Sequence, residues 1–136
     1  LTLEVLPLTD AGLGQVLRAG RAGALAWADL LDGSDALAAY QRPELDIVTY
    51  LPRRSSMSAV DASSEALFHA AAAGDPTEQI HLATYAVTAE ALAARGHEVQ
   101  PDAPAARILR STVMKPESAT YVPQIHARLE SLTRDL

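Results

Sequence analysis

The sequence contains no cysteine, which excludes disulfides and thiolate metal sites and fits a cytoplasmic setting. No apolar run approaches the roughly 20 residues that span a bilayer, and no basic segment precedes one, so no membrane partner is expected. Positive charge is also scarce: 11 Lys and Arg stand against 17 Asp and Glu, for a formal net charge of −6. That balance argues against nucleic acid or an anionic membrane surface as a partner. Repeats, low-complexity tracts and linkers are absent. The chain reads as one unit.

What remains is a chain of 136 residues, 49% of them hydrophobic. That is one domain on size, able to bury roughly two-thirds of its extended-chain surface. It opens at Leu1 without a methionine, on the apolar stretch LTLEVLPL. From this start we expect a piece cut from a larger protein.

Leu1 to Leu8 is expected as a short strand or extended lead-in ending near Pro7. Thr9 or Asp10 then caps a helix to about Leu31, with Leu13, Val16, Leu17, Ala24, Trp27, Leu30 and Leu31 at helical spacing. Gly12, Gly14, Gly20 and Gly23 interrupt that helix. GLGQVLRAG lacks the Lys-Ser/Thr of a phosphate loop, so close packing against a neighbouring helix explains the glycines better. Gly33 ends the helix, and Ser34-Asp35 is expected to start a short second one to about Gln41. Arg42-Pro43 breaks it, and Leu45 to Leu51 reads as a strand.

Ser58 with Asp61 resembles a capping box opening a helix that turns Val60, Leu67, Phe68 and Ala71 inward and ends at Gly74. Gln79 to Thr88 is expected as a second strand, and Ala89 to Arg95 as one or two helical turns closed by Gly96. Ala106 to Glu117, ARILRSTVMKPE, supplies the last strand. Within it Ile108, Arg110 and Thr112 share one face, and Leu109, Ser111 and Val113 the other. A final helix, capped by Ser118 or Thr120, aligns Val122, Ile125, Leu129 and Leu132, with Pro123 tolerated in its first turn. The sum is an α+β fold: a small, largely antiparallel sheet of about three to four strands, covered by helices on one face.

Few residues offer chemistry. His69, His81, His97 and His126 form no i, i+4 pair with one another, which makes surface or sheet positions the better reading. No nucleophile-elbow pattern exists. Tyr50 and Tyr85 are expected as half-buried packing residues. Lys115 is the only lysine; any Schiff base would fall to it, but a charge before Pro116 more simply marks an exposed strand end. Arg110 is different in kind. A guanidinium amid Ile, Leu, Val and Met either lies on a solvated face and pairs with a carboxylate such as Asp46, or forks onto a carboxylate in a cleft. Periodicity leaves both open.

PELDIVTYLPR at Pro43–Arg53, LRSTVMKPE at Leu109–Glu117 and YVPQIHARLESL near the end, together with GLGQVLRAGRAGALAWADLL at the start, resemble the C-terminal part of group II pyridoxal-phosphate-dependent decarboxylases. That family includes glutamate, aromatic amino acid, cysteine sulfinate and diaminobutyrate decarboxylases. The resemblance spans nearly the whole chain, with the segments in order. It implies the small C-terminal domain of a fold type I enzyme, residues 1–42 forming leading helices and 43–136 the sheet unit. That domain packs against the enzyme's large cofactor-binding domain, within a homodimer.

The resemblance further implies that Arg110 binds the carboxylate of an amino acid substrate, while pyridoxal phosphate acts as electron sink for the carbanion left by carbon dioxide. The family's His-Lys pair has no counterpart here, and the aspartate, stacked histidine and phosphate loop of its cofactor site belong to the large domain. Arg110 is the one functional residue carried over. The chain alone is therefore expected to bind no cofactor and to be inactive. The alternative is a stand-alone α+β ligand-binding or regulatory module without catalysis.

Overall fold

The computed structural model describes residue 5, residues 7–115 and residues 117–136. Elements follow in the order α1 (Leu13–Asp32), β1 (Leu37–Ala39), β2 (Ile47–Pro52), α2 (Met57–Ala72), β3 (Ala83–Thr88), α3 (Ala89–Ala93), β4 (Ala105–Thr112) and α4 (Ser118–Arg134). The strands form one sheet in the order β1-β2-β4-β3, antiparallel at every pairing. This is the expected α+β architecture. The expected strand at Leu1–Leu8 falls largely outside the described residues.

Alternation along the strands builds two unequal cores. Val48, Tyr50 and Leu109 point into the layer of α1, α2 and α4, where they are buried with Trp27, Leu31, Leu67 and Leu129. On the opposite face Leu51, Ala106, Ile108 and Val87 form a smaller cluster with Leu92 of α3. Ile108 and Leu109 therefore face opposite ways, as their spacing requires. Tyr50 is entirely buried in the main core: its ring lies 5.5 Å from that of Trp27, and its hydroxyl shares a 3.0 Å hydrogen bond with Ser111. It is not the half-buried residue expected; Tyr85 is half exposed.

The short helix expected from Ser34 to Gln41 is instead strand β1. Ser34 Oγ accepts the backbone N–H groups of Ala36 and Leu37 at 3.2 and 3.1 Å, turning the chain straight out of α1. Leu37, Ala38 and Ala39 then pair with Pro52, Leu51 and Tyr50. Leu37 joins the main core and Ala38 the smaller one. Burial on both faces thus overrides the helix propensity of an Ala-Leu-Ala-Ala run.

Three cap assignments also shift. Helix α1 has Gly12 at its N-cap, with no side-chain cap bond, in place of Thr9 or Asp10. Helix α2 starts at Met57, with Ser56 accepting the Ala59 N–H, because Ser58 is drawn to Asp102 by its hydroxyl and its backbone N–H. Helix α4 has Glu117 at its N-cap and no side-chain cap bond. Strand β3 begins at Ala83 rather than Gln79, since Ile80 is held back by a 2.7 Å bond from its N–H to Ala71 O.

Asp61, expected in a capping box, has another partner. Arg107 on the helix-facing side of β4 sends Nε and Nη2 to the two Asp61 oxygens at 2.9 and 2.8 Å. Its Nη1 and Nη2 reach the two Glu65 oxygens at 2.9 and 3.0 Å, and its backbone N–H also bonds Asp61. One guanidinium thus grips two carboxylates one turn apart on α2, and locks β4 to that helix. Bonding from Arg107 holds both carboxyls below their usual range.

Close packing falls at Gly20 and Gly23. A Cβ at Gly20 would lie 2.8 Å from Val113 O and 3.1 Å from Asp46 Cβ, and one at Gly23 only 2.8 Å from Val113 Cγ1. Gly12 and Gly14 press instead on their own preceding turn, at Pro7 and Thr9.

Gly20→Ala should gain about 1 kcal/mol of helix propensity but lose about 1–3 kcal/mol to overpacking against backbone, a net loss in urea denaturation. Gly33→Ala, where a Cβ would meet nothing nearer than 3.7 Å, should be near neutral. Asp61→Asn should lower the urea midpoint at neutral pH. Because the folded-state carboxyl titrates below its unfolded value, its contribution is complete above about pH 4 and fades as pH falls through the lower folded value. The gap between wild type and variant should therefore hold above about pH 5 and shrink as pH falls from about 4 toward 2.5; a constant gap would contradict the clamp.

Candidate functional site

Arg107 and Arg110 are three residues apart on β4, so one faces the helices and the other the open side of the sheet. There the register sets a row across the strands. The Tyr40 N–H, just beyond β1, donates to Thr49 O at 2.8 Å; Thr49 is the cross-strand partner of Arg110, and Arg110 that of Ala83. Tyr85, opposite Ile108, stands beside the row. These residues floor a hollow of about 370 Å³ lined by Tyr40, Gln41, Thr49, Tyr85, Arg95 and Arg110.

Arg110 is exposed in this hollow, and among the described residues no hydrogen bond or ion pair engages its guanidinium. The solvated pairing with Asp46 does not form. Asp46 lies on the helix side, its carbonyl accepting the Val113 N–H at 2.7 Å and its Cβ close to Gly20. Of the two alternatives for Arg110, the structure presents an open cation in a concavity.

The other wall comes from the turn after α3, whose direction depends on Gly96 at φ +80°. Arg95 lies over the Tyr40 ring, with Cζ 4.4 Å from the centroid, an attraction between cation and ring face. Its Nε donates to Gln41 Oε1 at 2.9 Å and its Nη1 to Ala91 O at 3.0 Å. The Tyr40 ring is stacked in turn on His97 at 6.1 Å, and His97 Nε2 meets Tyr40 O at 3.0 Å. Sequence reasoning missed both Arg95 and Tyr40. The first reads as an ordinary helix-end charge, and the second fell in a segment expected to be helical.

The remaining candidates do not converge here. His69 meets the edge of Phe68, His81 is exposed, and His126 is buried under α4, where desolvation lowers its pKa. Among the described residues no three His, Asp or Glu side chains are grouped to hold a metal. Tyr50 is too deeply buried to act as an acid, and burial raises its pKa well above the ordinary phenol range. Lys115 is exposed beyond β4 and does not line the hollow. The residues present therefore do not fit pyridoxal phosphate: the only amine able to form its Schiff base lies outside the concavity.

No protein-family model matches the chain, and neither does any curated protein sequence. Solved structures do resemble it. The glutamate decarboxylase domain of diaminobutyrate-pyruvate transaminase and L-2,4-diaminobutyrate decarboxylase from Vibrio parahaemolyticus aligns over 99% of this chain with a TM-score of 0.62 and 17% identity. Catharanthus roseus tryptophan decarboxylase, solved with L-tryptophan, aligns over 93% at TM-score 0.63 and 13% identity. Oryza sativa TDC, solved with PLP and tryptamine, aligns over 89% at TM-score 0.62 and 14% identity. The chain spans about a quarter of the length of each, 25%, 23% and 24% respectively. At such identities the likeness is one of fold: these 136 residues fold as one quarter of a decarboxylase chain does.

Proposed function

We propose that this chain is the small C-terminal domain of a pyridoxal-phosphate-dependent amino acid decarboxylase, in which Arg110 binds and orients a substrate carboxylate. The observation that carries the reading is an exposed guanidinium in a concavity, unpaired among the described residues, on a fold shared over almost the whole chain with three decarboxylase structures. A planar fork fixes a carboxylate by two parallel hydrogen bonds, setting both its position and its rotation. Orientation of that kind is what a reaction at the neighbouring carbon requires of the protein.

The cofactor and its Schiff-base lysine belong, on this reading, to a large domain of the same enzyme. Exposed apolar side chains support such a neighbour. Leu45, Ile47 and Met114 are 61, 41 and 61% exposed at or beside the end of the β2–β4 pair, where Ile47 stands opposite Thr112. Apolar surface near a charged concavity suits an interface between domains better than a solvated face. A homodimer and an amino acid substrate complete the proposal.

In the full enzyme, Arg110→Ala should raise KM or lower turnover by about 10²-fold, the loss of a charge-assisted pair of about 2–3 kcal/mol. Steady-state kinetics on the purified variant measures this. Unchanged kinetics with unchanged thermal stability would return Arg110 to a solvated surface role.

A further inference from the structure

The hollow around Arg110 contains a second cation that a single carboxylate leaves unused. Of its six lining residues two are arginines and none is acidic, in a chain whose acids outnumber its bases by 17 to 11. Elsewhere in the structure guanidiniums meet carboxylates: Arg18 with Asp10, Arg42 with Asp29, Arg107 with Asp61 and Glu65, Arg128 with Glu78, and Arg134 with Glu130. Arg21, Arg53 and Arg54 are instead taken up by backbone carbonyl or hydroxyl oxygens; among the described residues Arg95 and Arg110 also lack a carboxylate, and both line this hollow.

Arg95 is moreover held in place before any ligand arrives. The Tyr40 ring supports its plane, Gln41 and Ala91 take up its Nε and one Nη1 proton, and His97 backs the tyrosine. Its Nη2 edge has no partner among the described residues. A cation fixed in this way surrenders little side-chain freedom on binding, so it holds an anion better than a mobile one would.

We infer that Arg95 is a second anion anchor, and that the ligand of this hollow is a small molecule with two anionic groups, one on Arg110 and one on Arg95. This rests on the reading of Arg110 as a carboxylate anchor and deepens it. In the assembled enzyme the substrate class becomes an amino acid with an anionic side chain, rather than an aromatic or basic one. Arg95 acts as a specificity-determining residue, and touches no reacting atom.

The test is an NMR titration of the 136-residue chain at low ionic strength, following arginine Nε–Hε signals. Glutarate serves as the two-carboxylate probe and butyrate as the one-carboxylate control. Glutarate should shift the signals of both Arg95 and Arg110 and bind about ten-fold or more tighter than butyrate. Arg95→Gln should erase that preference, and Arg95→Lys should restore part of it; backbone amide dispersion confirms that each variant is folded. Equal affinity for the two probes, a preference that survives Arg95→Gln, or no binding of either would overturn the inference. A preference lost with Arg95→Gln but indifferent to Arg110→Gln would overturn the carboxylate role of Arg110, and the two-point grip with it. Sensitivity to Arg110→Gln alone would overturn only the role of Arg95.

Discussion

The Arg107 clamp is the interaction on which the arrangement of the site depends. Strand β4 lies between β2 and β3, and successive residues alternate between the helix layer and the open face. Arg107 commits that alternation: with Asp61 and Glu65 taken from α2, a slip of β4 by one residue would place its guanidinium on the wrong side and leave two carboxylates without their partner. The same slip would turn Leu109 out of the main core and Arg110 into it. Register, core and site are therefore one constraint. An exposed ion pair contributes little to stability, but one guanidinium gripping two carboxylates specifies an alignment beyond what its energy suggests.

The open face follows from the element lengths. Helices α1, α2 and α4, of 20, 16 and 17 residues, cover one side of the sheet, whereas the opposite side has the five-residue α3, the loop after it, and Met57 and Val60 from the first turn of α2. That is enough to bury Leu51, Ile108 and Val87, but not Thr49, Tyr85 or Arg110. The concavity is what remains uncovered, and the turn at Gly96 brings Arg95 and His97 to its rim. Its sign is positive although the molecule is negative overall, because the acids are spent elsewhere: Asp61 and Glu65 on Arg107, Asp102 on Ser58, and Glu130 on Ser34 and Arg134.

Much of this was legible in the residues. The faces of β4 were assigned by period two alone, and they put Leu109 and Arg110 on opposite sides of the sheet, as the structure has them. The long helices declared themselves by spacing, and Gly74 and Gly96 by position, each with φ near the left-handed values that favour glycine. Segments whose state is decided by tertiary contacts were not legible. Leu37–Ala39 has the composition of a helix and becomes a strand because both its faces are buried; Ser58 and Asp61 have the spacing of a capping box but answer to Asp102 and Arg107. Pairings between residues 42 and 54 apart, such as Asp61 with Arg107 or Gln41 with Arg95, leave no local signal. Arg110 could be singled out but not decided, because the choice between a surface ion pair and an open cation depends on where Asp46 points. The second arginine of the hollow was out of reach for the same reason.

What Arg110 meets when the hollow is filled decides its role. A crystal structure of the full-length protein with a bound substrate-like amino acid measures this directly. It should show the Arg110 guanidinium in two parallel N–H···O bonds of about 2.7–2.9 Å to a ligand carboxylate, with Arg107 still clamped to Asp61 and Glu65. A structure in which Arg110 instead pairs with an acidic side chain from elsewhere in the protein, while the ligand carboxylate binds another residue, would contradict it.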